Sequence, residues 1–203
     1  SLLIIKVMLV AMFWLQFSMA ASTADGKFIA CLFNESDSLY IINPNNDTSI
    51  ISVEDGGPEF RDFNKDGYED LYIGYNSNVP GVEDLALYNA KTKSFDLIDD
   101  LKLFPTSEKI EGTAYYYSYH RSGCADMNWD SDLFYIEDNK TIKIGNIEGI
   151  GCDDEKLKVS ISSIKGDSVL LIETLAIDTI YSYKDFKWGF IKEYWSRNYK
   201  GFI

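Results

Sequence analysis

The chain has 203 residues and carries 32 acidic against 19 basic side chains, a formal charge of −13, with a single histidine. That balance argues against a protein that tracks nucleic-acid phosphates, whose affinity comes from Lys and Arg, and one histidine excludes zinc sites built on two or three imidazoles. With 46% hydrophobic and 15% aromatic residues, the acidity belongs to a folded domain and not to a disordered acidic tail.

Residues 2–20 form an apolar run that carries one charge, Lys6, and ends in small residues at Ser18 and Ala20, with Ala21 following. This is the pattern of a secretory signal peptide over residues 1–21, followed by one domain over 25–203. About 20 apolar residues can also span a bilayer. Gln16, Ser18 and the small-residue end favour a cleaved leader, hence no stable membrane span after processing and a periplasmic or secreted domain. In that oxidising setting Cys124 and Cys152 can pair, leaving Cys31 over. A hairpin turning at Asp138-Asn139-Lys140 would set those two cysteines opposite each other at its base.

Beyond the leader the apolar residues alternate or run in short β-branched and aromatic groups, with turn residues between them, so no helix is expected. Four hairpins repeat: 38–43 with 48–53, 84–89 with 94–98, 132–137 with 141–146, and 179–184 with 187–194. Their first apolar residues, Leu39, Leu85, Leu133 and Ile180, lie 46, 48 and 47 positions apart, the length of a four-stranded propeller blade. Residues 59–62 and 70–75 supply strands ahead of the second hairpin, 113–120 one ahead of the third, and 157–164 and 168–175 those ahead of the fourth. The expected fold is all-β, a small β-propeller-like array of four to five four-stranded antiparallel blades, with a large hairpin sandwich as the alternative.

The segment Asp62-Phe63-Asn64-Lys65-Asp66-Gly67-Tyr68-Glu69-Asp70-Leu71 carries side-chain oxygens at loop positions 1, 3, 5 and 9. Alternate residues of a tight loop point inward, Gly67 permits the sharp turn, and the Tyr68 carbonyl adds an oxygen. Asp62, Asn64, Asp66, Tyr68 and Asp70 are therefore candidate ligands of Ca2+, whose preference for several oxygens exceeds that of magnesium. Position 12 is Ile73 and a strand follows, so this is no EF-hand. An Asn/Asp-rich turn without an ion is the competing reading.

This loop resembles the calcium loop of FG-GAP (integrin-type) propeller repeats. Together with Leu85-Ala86-Leu87-Tyr88-Asn89 and Lys91-Thr92-Lys93-Ser94-Phe95 it is similar to a family of exported bacterial proteins with one such loop, over about residues 59–101. The resemblance implies a small propeller of five blades, bound calcium and, for some members, action as periplasmic immunity proteins that inhibit lysozyme-like toxins. It does not single out an inhibitory tyrosine among Tyr115, Tyr116, Tyr117, Tyr119, Tyr181 and Tyr183.

Asp126-Met127-Asn128-Trp129-Asp130-Ser131-Asp132 is a weaker echo of the same spacing, lacking the glycine, and reads as an acidic turn in preference to a second ion site. His120 near Cys124 suggests a nucleophile, but a disulfide-bonded Cys124 has no thiolate. No catalytic residue is assigned and an enzyme is not expected. Alternation places Tyr115, Tyr117 and Tyr119 on one side of a strand, as a candidate partner-binding face suited to a basic protein, because aromatic anchors give affinity and opposite charge speeds encounter. A secreted hydrolase using acidic residues and a structural or adhesion module are the alternatives.

Overall fold

The computed structural model describes the backbone of residues 15–23, 26–33, 38–43, 47–52, 56–153 and 156–203. The all-β expectation holds. Two compact units account for the chain, one comprising residues 1–76 and 83–98, the other 77–82 and 99–203.

In the first unit, β1 (Leu15–Thr23), β2 (Gly26–Phe33), β3 (Ser38–Ile42) and β4 (Thr48–Ser52) form one antiparallel sheet in chain order. A second sheet repeats that order with β5 (Gly56–Arg61), β6 (Asp70–Tyr75), β7 (Glu83–Asn89) and β8 (Ser94–Ile98). The first two expected hairpins are thus present, each inside a four-stranded meander. Leu39, Ile41, Leu71, Ile73, Ala86, Tyr88 and Phe95 form the core of this unit. In β3, β6 and β7 the core residues are alternate ones, Leu39 and Ile41, Leu71 and Ile73, Ala86 and Tyr88, as the period-two pattern requires.

Of the expected leader, residues 1–14 lie outside the described residues. Residues 15–21 belong to β1, where Ala21 sits opposite Phe28. The strand and the leader reading thus draw on the same residues.

The second unit departs from the blade expectation. Its strands β9 (Glu108–Lys109), β10 (Tyr115–Tyr117), β11 (His120–Gly123), β12 (Asn128–Glu137), β13 (Lys140–Ile150), β14 (Lys158–Lys165) and β15 (Ser168–Leu175) join in one seven-stranded sheet. The order is β15-β14-β13-β12-β10-β9, with β11 also on β12. The strands expected to open a fourth blade instead extend the third hairpin, because β13 is long enough to pair with β12 along one edge and with β14 along the other. The fourth hairpin is absent. Residues Ile177–Ser182 form a short 3-10 turn, and α1 (Lys187–Asn198) is a helix.

The helix forms because Phe190, Ile191 and Trp195 fall on one face at helical spacing and are buried against the sheet. They join Trp129, Leu133, Ile147, Val159, Ile161 and Phe202 in the core of this unit. Trp195 donates its indole N–H to Ser131 Oγ at 2.8 Å in the buried interior, so neither polar group is stranded there. Gly149 leaves room for the Trp129 indole, which a Cβ at that position would strike. Cys124 and Cys152 form a disulfide with Cα atoms 6.2 Å apart. It closes the open end of the β12–β13 hairpin, where the turn register put it. The side chains of β15 are exposed along nearly its whole length, so the core ends at β14.

Candidate functional site

Residues 62–69 connect β5 to β6, with Arg61 opposite Asp70 at the base of the hairpin. Three anchors hold the loop. Phe63 is buried edge-on against Tyr72, the Tyr68 ring meets Tyr88 at 5.5 Å, and Asp70 is fully buried beneath them. Asp70 accepts the Phe63 amide at 2.9 Å and the Tyr88 amide at 2.8 Å, which ties the loop to β7. Burial pushes its carboxyl up to about 6; the Tyr88 and Phe63 amides pull it down and nearby Asp66 adds to the rise. At the rim Arg61 grips Glu83 with both carboxylate oxygens at 2.7 Å and stacks its guanidinium 3.4 Å over the Tyr72 ring.

Above Asp70 the loop curls around its own side-chain oxygens. The Asp66 amide points at Asp62 Oδ1 (3.1 Å) and Asn64 Oδ1 (3.0 Å), the Gly67 amide at Asp62 Oδ2 (3.1 Å), and the Tyr68 amide at Asp66 Oδ1 (2.9 Å). Gly67 sits at φ 92°, where a side chain would be strained. Asp62, Asn64 and Asp66 are therefore brought together, while Asp70 lies below as a clasp. Among the described residues no three Asp, Glu, His or Cys side chains converge as a ready metal grip. The donor set does fit a hard cation in its chemistry: every group is an oxygen, and the buried Asp70 carboxylate under the loop has no ion-pair partner among the described residues.

The three candidate tyrosines are not gathered on a surface. β10 covers only Tyr115–Tyr117, and Tyr117 and Tyr119 are 6% and 7% exposed within the core under the helix. The expected contact face is corrected at these two positions. Tyr117 donates its hydroxyl to Glu108 at 2.6 Å, and Tyr119 donates its own to Asp126. Burial first, and then the acceptor carboxylate, holds both phenols well above their ordinary value. Only Tyr115 remains half-exposed, between the Tyr135 and Tyr199 rings.

The acidic echo at residues 126–132 is not a turn either. From Asn128 onward it is the central strand β12. Asp132 is buried with Lys143 at 2.6 Å, and Asp126 is bonded to Lys187 at 2.7 Å. Two of the acids of this segment are thus paired with lysines. His120 pairs with Asp130 across β11 and β12, and Cys124 is spent in the disulfide.

Sequence reasoning missed a groove of about 350 Å3 at the start of α1. Its apolar wall includes Tyr181, Phe186 and Trp188, which are 64%, 58% and 46% exposed. Among the described residues, the carboxylates of Asp126, Asp178 and Asp185 line it against one ammonium, that of Lys187. The aromatic density of 181–195 was visible in the sequence, but reading that stretch as a hairpin hid which rings turn outward.

A solved structure described as "Structure of a Xanthomonas Type IV Secretion System related protein" is similar to this chain, with a TM-score of 0.55 at 13% identity, covering 78% of this chain and 94% of that one. The likeness shows the fold. No family model matches the chain, and no curated protein does. The disulfide indicates an extracytoplasmic protein, and among the described residues no helix is long and apolar enough to cross a membrane.

Proposed function

We propose that this chain is an exported, calcium-binding β protein without enzymatic activity, which binds a basic protein partner and inhibits a lysozyme-like cell-wall hydrolase. The supporting observation is the loop between β5 and β6. In the segment that resembles the FG-GAP calcium loop, the chain folds around the oxygens of Asp62, Asn64 and Asp66 and anchors itself through Asp70.

Asp62, Asn64, Asp66, the Tyr68 carbonyl and Asp70 would hold the ion. Bound calcium would supply the positive charge that offsets their mutual repulsion, and so stiffen the hairpin. The chain's own contribution is the buried clasp: Asp70 fixes the loop to β7, and Phe63 and Tyr68 exclude water from its base. The overall charge of −13 favours encounter with a basic partner. Residues 1–21 act as the export leader in this reading, and the mature domain is periplasmic or secreted.

Incubation with purified peptidoglycan, alone and alongside a basic lysozyme, tests the reading. We expect no glycan release by the protein itself and co-elution with lysozyme in size-exclusion chromatography. Glycan release by the protein alone, with no complex, would overturn it in favour of a secreted hydrolase.

A further inference from the structure

The groove at the start of α1 is built by two turns that hold non-glycine residues at positive φ. Asp185 (64°) and Phe186 (54°) form one, and Cys124 (51°), Ala125 (49°) and Asp126 (74°) the other. Such conformations persist only where the surroundings enforce them. Here the Cys124–Cys152 disulfide fixes one turn. The other is tied to it by Lys187, whose Nζ meets both the carboxylate and the carbonyl of Asp126 at 2.7 Å. The result is that Phe186 and, on the face not covered by Tyr119, Trp188 are exposed close in sequence to the core residues Phe190 and Ile191. Positive φ at Asp185 and Phe186 thus turns the Phe186 ring into solvent, where it contributes little burial of its own.

The charge around these rings is one-sided. Lys187 is neutralised by Asp126, with its ammonium 5.2 Å from the Tyr119 ring centroid and 5.7 Å from that of Trp188. Asp178 and Asp185 are exposed and, among the described residues, have no ion-pair partner. Tyr181 and Phe186, in the same lining, meet edge to face with centroids 5.9 Å apart. An apolar wall with two unanswered carboxylates suits a side chain that has an aliphatic stem and a cationic head. A second copy of this chain is a poor fit, since each copy carries −13.

We propose that this groove receives an arginine or lysine side chain presented on an apolar segment of the protein partner; the assignment rests on the basic-partner reading above. Asp178 and Asp185 take the cationic head, and Tyr181, Phe186 and Trp188 take the stem and the flanking apolar residues.

The probe is a short capped peptide alternating leucine with arginine, compared with its glutamate counterpart, and the readout is the Trp188 indole resonance, assigned with Trp188→Phe. The arginine peptide should shift that resonance to saturation, more weakly as salt rises, and the glutamate peptide should not. Asp178→Asn with Asp185→Asn should weaken binding about tenfold, and Phe186→Ser should weaken it again. Both aspartates are exposed and asparagine tolerates positive φ, so the melting curve of the double variant should be unchanged. No shift, an equal response to the glutamate peptide, salt-independent binding, or unchanged affinity in the double variant would overturn the proposal. So would sedimentation showing a wild-type dimer that Phe186→Ser dissociates, since the occupant would then be a second copy. Peptide binding without any lysozyme complex would remove the inhibitory reading and leave the groove; a lysozyme complex formed while the peptide fails would do the reverse.

Discussion

Lys187 Nζ lies 2.7 Å from Asp126 Oδ2 and 2.7 Å from the Asp126 carbonyl oxygen, so the first residue of α1 is fastened to a turn 61 positions earlier in the chain. Tyr119 donates its hydroxyl to the other carboxylate oxygen and packs its ring on Trp188, which completes the attachment of the helix to the sheet. Lys187→Met should keep the stem and lose the charge. The expected cost is about 1–2 kcal/mol, given the partial exposure of Asp126, read as a lower denaturant midpoint with unchanged slope.

Acid should act on the same pair. Burial opposes the charge on Asp126, but the bonds from Lys187 and Tyr119 outweigh it and hold its carboxyl below the ordinary value of 3.8. A depressed acid contributes stability that is complete above the unfolded value near pH 4 and is lost as pH falls through the lower folded value. Asp126→Asn should therefore flatten the acid limb of stability against pH below about pH 4. An acid limb identical to wild type would show that other carboxylates dominate it.

Asp70→Ala leaves the Phe63 and Tyr88 amides facing a buried void. We expect a loss of about 2–4 kcal/mol, measured in EDTA so that no ion contributes. Asp70→Asn, which keeps one acceptor oxygen, should fall between that variant and wild type. If Asp70→Ala were as stable as wild type, the buried clasp would have no structural role.

Reduction of the Cys124–Cys152 disulfide, whose cysteines are 28 positions apart, should cost about 3–4 kcal/mol in the loop-entropy description. Equilibrium unfolding with and without reductant measures it, and Cys124→Ser with Cys152→Ser should abolish the difference.

The parts of the fold legible in the sequence were those fixed by local turn chemistry. The hairpins of β3–β4, β7–β8 and β12–β13 were predicted within a few residues, and the turn at Asp138-Asn139 placed the disulfide. The helix was not legible as such: short β-branched and aromatic groups between turn residues, in step with the hairpin repeat, suggested strands, although the doublets Phe190-Ile191 and Tyr194-Trp195 recur at the four-residue spacing of one helix face. Sheet extension was equally hidden, because pairing between β13 and β14 depends on a contact that alternation does not specify. For the candidate site, residue spacing located the loop around Asp62 and Asp66. It could not show that Asp70 turns its oxygens to the Phe63 and Tyr88 amides, since the Tyr88 partner lies 18 positions away. Tyr117 and Tyr119 show the limit of strand alternation: it separates two faces without saying which one a helix will cover.

Calcium is tested by thermal melting. Chelation with EDTA should lower the melting temperature of the wild-type protein, and Asp66→Ala, which removes an exposed oxygen of the loop and leaves the Asp70 clasp in place, should make the protein insensitive to EDTA. A wild-type melting curve that does not respond to EDTA would refute the ion site.

Inhibition is the central claim, and a titration of a basic lysozyme with the purified protein at fixed substrate, in calcium and at low salt, tests it most directly. The expected result is a stoichiometric fall in glycan hydrolysis that weakens as salt rises. Undiminished hydrolysis at a large molar excess of the protein, across a panel of such enzymes, would contradict it.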